Sequence, residues 1–549
     1  MRRFTVAVVL AFVILPVLAL PAFAQAPAPK VTISGLFDQV TSAGRNFYDG
    51  NATRNSDTEW YARTRFRPDF EFQVGRVKAV LGIEIDLQYG QAGANDGGFP
   101  GNTTGNRQCK NPTTNGCLDL NTDVAGMMEI KWIYTEFPLT GKDSLLPFIP
   151  VETVARAGGQ PWGSLASYKL APYANGDFAG VSAVTTIMPQ LKTNLTWAIV
   201  EDELAGANRG NPSLKTGRGE DYALVASVDI TPTKGLDIKP LFSWFHADGV
   251  TYVSSRRPVV SRQFAGPANA HANSGSALAP PDNPPAAGSP AFHENRYTIG
   301  LDARWRLGAF GLDPTFYYQW GQRDHMAVRS DGSVGKVQAD MYSWIVDIIG
   351  SYRLGPMLLE ARGLYTPGNS ARDNLTKSVR YYQPLSTDGS YWAGWAAILA
   401  SGIDYANGQY LTNMGRHIGY DRYGRGAFGL RATYSFTPAL ALYTTVSPNW
   451  TAEPVDTDTG VAGAHTSGGT VTRTTLDDQS WVKGDSNYIG TEVDLGLTWR
   501  FAPSVAFDLQ GAYLFAGDAL GTAELVNGVH TRRDPQDSWM IAARVRLAF

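Results

Sequence analysis

The chain has 549 residues, a net charge of −3 and only 18% charged side chains. So small a net charge gives no reason to expect nucleic acid or a strongly steered partner, and the charged fraction falls below the roughly 25% of soluble domains. The mean hydropathy of −0.19 alone reads as a soluble protein, but 14 Trp, 25 Tyr, 24 Phe and 58 Gly are a heavy aromatic and glycine load.

In chain order, Arg2 and Arg3 precede an apolar run from Phe4 to Leu20, followed by Ala22-Phe23-Ala24 and Gln25. A positive region, an apolar region and a small-x-small site are the parts of a secretory signal peptide. Cleavage is expected after Ala24, leaving 25–549 as one domain; Pro16 and Pro21 argue against a retained anchor. Past residue 24 no run of 18 apolar residues remains for a transmembrane helix.

Alternating segments then recur to the last residue. In 58–72, TEWYARTRFRPDFEF, the residues Trp60, Ala62, Thr64, Phe66, Phe70 and Phe72 share one face, and Arg63, Arg65, Arg67, Asp69 and Glu71 the other. Period two predicts a strand. Residues 77–89 set Leu81, Ile83 and Ile85 against Lys78, Glu84 and Asp86. Cys109 and Cys117 follow in a Gly/Asn/Pro-rich stretch; in an exported chain a loop disulfide is the favoured reading. The pattern returns in 297–307, with Ile299, Leu301 and Trp305 against Asp302, Arg304 and Arg306. In 489–501, Val493, Leu495 and Trp499 stand against Glu492, Asp494 and Arg500, and the last segment sets Trp539, Ile541, Val545 and Phe549 against Arg544 and Arg546.

About 18 strands are predicted, starting near residues 31, 58, 76, 126, 149, 178, 190, 221, 236, 294, 310, 338, 356, 426, 439, 488, 504 and 538, with 16 as the alternative count. Short links at Gly75-Arg76, 188–190, 231–235, Gly308-Ala309, 353–356, Thr437-Pro438 and Ala502-Pro503, with 138–147 a little longer, alternate with long ones. The long links are 41–57, 91–125, 159–177, 202–220, 249–293, 324–337, 367–425, 449–487 and 517–537. This alternation predicts an all-β fold: a transmembrane antiparallel up-and-down β-barrel with short periplasmic turns and long extracellular loops. Closure is required because lipid cannot satisfy unpaired backbone groups. Phe72, Tyr89, Trp197, Trp320, Tyr352, Tyr434 and Trp499 are expected in interfacial girdles.

The opening KVTISGLFDQV (residues 30–40) and the closing SWMIAARVRLAF resemble the first strand and the C-terminal signature of Gram-negative porins. The resemblance implies a diffusion channel in the outer membrane, surrounded by lipid and lipopolysaccharide. It also implies a trimer and a terminal Phe549 read by the barrel-assembly machinery. The count of about 18 resembles substrate-selective porins and alginate-export barrels.

Eight strands enclose only side chains, whereas 16 to 18 leave an aqueous channel. Candidate pore-lining residues, assigned by parity, are Arg63, Arg65, Arg67, Glu84, Asp86, Arg304, Arg306, Glu492, Asp494, Arg544 and Arg546. Closure brings the last strand beside the first, so the arginines at 63, 65, 67, 544 and 546 are expected either to form a basic wall favouring anionic or polar solutes, or to pair with carboxylates across strands. Loop 367–425 carries Trp392, Trp395, Ile398 and Leu399 at helical spacing, as a constriction, a plug or a contact outside the pore. Asp456 and Asp458 only faintly resemble a calcium loop, and 267–290 reads as a mobile surface loop. No catalytic, metal or cofactor motif is present: there is no G-x-S-x-G, no G-x-x-x-x-G-K and no C-x-x-C-H. The expected function is passive passage of small hydrophilic solutes. A dedicated oligosaccharide or polyanion channel, and a structural envelope barrel, are the alternatives.

Overall fold

The computed structural model describes residues 28–46, 58–89, 126–162, 172–174, 177–201, 221–247, 293–328, 334–370, 373, 377–385, 395–399, 423–455, 465–467, 470–472, 475–476, 479–480, 484–526 and 529–549. Residues 1–24, Cys109, Cys117, 267–290, Trp392, Asp456 and Asp458 lie outside the described residues.

The wall is a closed ring of strands. In chain order these are β1 (Lys30–Arg45), β2 (Thr58–Val74), β3 (Val77–Tyr89), β4 (Gly126–Thr140), β5 (Glu152–Pro161), β6 (Asp177–Met188), β7 (Leu191–Glu201), β8 (Asp221–Thr233) and β9 (Leu236–Ala247). They continue with β10 (Glu294–Leu307), β11 (Phe310–Val328), β12 (Val334–Leu354), β13 (Met357–Thr366), β14 (Arg425–Ser435), β15 (Leu440–Val455), β16 (Ser486–Ala502), β17 (Val505–Ala516) and β18 (Ser538–Ala548). Each pairs antiparallel with its neighbours in sequence, and β18 closes on β1 over Leu36↔Ala548 to Arg45↔Trp539. The nineteenth member of the sheet is the pair Ser378–Val379, which lies parallel to Asp340–Met341 on β12.

The eighteen predicted strand starts fall within a few residues of the observed ones. The expected long link 324–337 needs correction: β11 runs on to Val328 and β12 begins at Val334. These two strands pair with each other to their ends, His325↔Val337 through Val328↔Val334, so the ladder continues into a segment read as loop.

Period two sorts the side chains between two solvents. Val31, Ile33, Ile299, Leu301, Trp305, Leu495, Trp499, Ile541 and Leu547 are exposed on the outer surface. On the opposite parity Asp38, Arg63, Glu84, Lys239, Asp302, Asp347, Arg362, Glu492 and Asp494 are buried. A soluble protein hides the first set and exposes the second. A surface this apolar, flanked by rings, is that of a barrel in a bilayer. Of the seven expected girdle residues, Phe72, Trp197, Trp320, Tyr352, Tyr434 and Trp499 are exposed on this surface, and the Tyr89 side chain lies outside the described residues. At the extracellular edge Trp244, Tyr297 and Trp320 stack in series, with centroids 6.4 and 5.6 Å apart. Trp499–Phe501 and Tyr434–Phe436 mark the other rim.

The seam is tied at both ends. Gly35 and Phe549 exchange backbone hydrogen bonds of 2.9 and 3.1 Å, and the Phe549 ring stacks on Phe66 of β2 at 6.1 Å. At the far rim Ser538 Oγ donates to the Asn46 carbonyl at 2.6 Å. A Cβ on Gly35 would lie 2.9 Å from Phe549 Cζ and closer still to the Arg67 carbonyl, so the seam closes over a residue with no side chain.

Candidate pore wall and lumen segments

The inner face at the seam is an ion-pair ladder. Asp38 on β1, fully buried, accepts two bonds of 2.7 Å from Arg544 on β18 and one of 3.5 Å from Arg63 on β2. Next along β2, Arg65 Nε lies 2.8 Å from Asp86 and 3.1 Å from Glu84 on β3. Arg67 reaches Glu84 at 2.9 Å, and Lys131 on β4 reaches it at 3.3 Å. Arg546 bonds Asp508 on β17 at 2.8 Å. The registers Asp38↔Arg65, Val40↔Arg63, Arg65↔Asp86 and Asp508↔Arg544 bring these groups to one face. Charges of opposite sign across strands are thus the local arrangement.

The other sequence-assigned residues lie apart from this ladder. Arg304 pairs with Asp237 at 3.6 Å and Arg306 forms a two-pronged pair with Asp313, both near the short-turn rim. Glu492 and Asp494 are buried on β16 under a folded-in segment of the loop after β13.

That loop enters the barrel at two places. Tyr381 and Tyr382 are fully buried, and Gln383 bridges β10 and β11: its side-chain oxygen accepts from Arg296 at 3.1 Å and from Arg323 at 2.7 Å. Its backbone N–H donates to Gln319 at 3.0 Å. Farther round the wall, the Ile398 and Leu399 N–H groups donate to the two Glu492 carboxylate oxygens at 2.7 and 2.9 Å. Ala397, Ile398 and Leu399 pack there on Ile489, Ala512, Leu514, Met540 and Ala542, an apolar sector of the inner face. Of the stretch with helical spacing only 395–399 is among the described residues; it forms turns whose Ile398 and Leu399 N–H groups are taken by Glu492. β16 stands five positions round the ring of eighteen from β11. On a circle roughly 35 Å wide, from ~4.8 Å strand spacing and ~40° tilt, that is a chord of about 27 Å. One loop therefore touches two distant sides of the lumen.

The loop after β5 meets it. Tyr173, fully buried, hydrogen-bonds Ser243 on β9, and its carbonyl accepts from the Leu385 N–H at 2.8 Å. Burial pushes the phenols of Tyr173 and Tyr382 up from the ordinary tyrosine range, Tyr382 further, so both stay neutral.

Parity reasoning missed several buried charges. Asp38 follows Phe37 in the first strand and was legible from the alternation Ile33, Phe37 against Asp38. Glu294, Arg296 and Arg323 lie at strand ends adjoining predicted loops, where the alternation is too short to read. Lys239, paired with Asp229 at 2.9 Å, follows the turn into β9.

No family model and no curated protein matches the chain. Solved structures do resemble it loosely. Pseudomonas aeruginosa OccK5 (OpdH) is 9% identical, with 94% of this chain and 98% of that one covered and a TM-score of 0.41. Pseudomonas aeruginosa OccK8 (OprE) is 11% identical, with coverage of 95% and 98% and a TM-score of 0.45. A BenF-like porin from Pseudomonas fluorescens Pf-5 is 11% identical, with coverage of 95% and 99% and a TM-score of 0.43. Likeness at this level carries none of their activity to this chain.

Proposed function

We propose that this protein is an outer-membrane porin, a passive channel for small hydrophilic solutes narrowed by loop segments folded into its lumen. One observation carries this: a closed eighteen-strand wall that is apolar outside and lined inside by charges of both signs. Buried charges are tolerated only when paired or hydrated. A barrel of this width holds water, with room that side chains alone cannot fill. At the seam Asp38, Glu84, Asp86 and Asp508 face Arg63, Arg65, Arg67, Lys131, Arg544 and Arg546. With Asp69 and Asp177 beside them, six basic groups stand against six acidic, so the expected ion selectivity is weak.

On this reading the signal peptide is removed after Ala24, lipid and lipopolysaccharide meet the outer belt, and the barrel-assembly machinery reads the strand ending at Phe549. Three copies associate, and Cys109 pairs with Cys117. The purified protein in a planar bilayer should give steady open conductance. A folded, inserted barrel with no conductance would show that the loop segments plug it.

A further inference from the structure

On the inner face of β4 one indole lies against an opposing glycine. Trp132 stands opposite Gly82 of β3, next to a register shift that leaves Lys131 as the extra residue. A Cβ on Gly82 would lie 2.9 Å from Trp132 Cε3 and 3.2 Å from Cδ2, so one face of the indole rests on bare backbone. The residue remains partly exposed. Its N–H donates to Asp177 Oδ1 at 2.5 Å. Lys131 lies 3.4 Å from the other oxygen of Asp177, and the Asp69 carboxylate borders Gly82 on the opposite side. Tyr134, two residues on, offers no second open ring, because the Arg156 guanidinium lies over it at 5.2 Å.

We infer that Trp132, with Asp69, Lys131 and Asp177 around it, is a lumen subsite for a neutral polyhydroxylated ring such as a pyranose. The chemistry points there in three ways. A flat ring with one open face takes the C–H face of a sugar. Carboxylates and an amine at its edge make charge-assisted hydrogen bonds to hydroxyl groups. Those charges already compensate each other through Lys131–Asp177 and Lys131–Glu84, so a free ion gains little: a carboxylate solute meets Asp69 and Asp177, and a cation meets Lys131 and Arg67. This inference rests on the channel reading and names a solute class for the same lumen.

The test is current block in a planar bilayer with maltotriose, gluconate and choline as separate probes. Maltotriose should block the wild-type current, and Trp132→Ala should weaken that block roughly three- to tenfold. Trp132→Phe should restore part of it. Asp69→Asn, which keeps the indole, should also weaken it, and Trp499→Phe on the outer surface should not. Conductance without maltotriose block, block that Trp132→Ala leaves unchanged, or block by gluconate or choline in preference overturns the subsite and leaves the channel standing. No conductance at all overturns the channel reading instead. In that case intrinsic tryptophan fluorescence with maltotriose decides the subsite: a saturable change lost in Trp132→Ala supports it, and no change overturns it.

Discussion

Removing the Asp38 carboxylate should weaken the barrel at its own closure. Asp38 is fully buried and joins three strands: it accepts two bonds from Arg544 at 2.7 Å and one longer bond from Arg63. Hydrogen bonds to charged groups contribute about 1.5–3 kcal/mol each, so the Arg544 fork alone sets an upper range of about 3–6 kcal/mol. Arg544 retains 11% exposure, and lumen water can partly rehydrate a guanidinium that loses its acceptor. The expected cost of Asp38→Ala is therefore about 3 kcal/mol, at the low end for breaking a buried pair. The assay is urea unfolding of the barrel refolded into vesicles, followed by gel mobility, with the midpoint shift read at constant slope. A double-mutant cycle with Arg544→Ala isolates the pair, and about 2 kcal/mol of coupling is expected. A loss below about 1 kcal/mol with no coupling would refute the reasoning, because the pair would then behave like a solvated surface bridge.

Glu84→Gln removes the carboxylate charge that faces Arg65, Arg67 and Lys131, and the reversal potential in a salt gradient should move toward anions. Glu492→Ala deprives the Ile398 and Leu399 amides of their acceptor; hydrogen exchange in 395–399 should speed up at least tenfold, the equivalent of about 1.4 kcal/mol. Gly35→Ala forces a methyl against the Arg67 carbonyl and the Phe549 ring, and the unfolding midpoint should fall by the equivalent of about 1–3 kcal/mol. Leu495→Arg puts a charge on the lipid-facing surface of β16, where Leu495 is 64% exposed, and should cost about 2–4 kcal/mol in vesicles.

Strand number, strand starts and the direction of most side chains were legible in the residues themselves. Between lipid and water an alternating strand has one stable orientation, and that preference is local, so Ile299 and Leu301 against Asp302 can be read without the rest of the chain. The partners of the inward charges are not local. Asp38 and Arg544 are 506 residues apart and meet only because the ring closes. The apolar inner sector of Ala512, Leu514, Met540 and Ala542 is explained only by the segment 395–399 that packs on it. Trp132 is the sharpest case. Plain alternation from Lys131 sends it to the lipid; the extra residue in β4 shifts the register, and the indole lies on Gly82 inside the lumen. A bulge costs the strand one residue of parity, and where it falls is settled by pairing with the neighbouring strand.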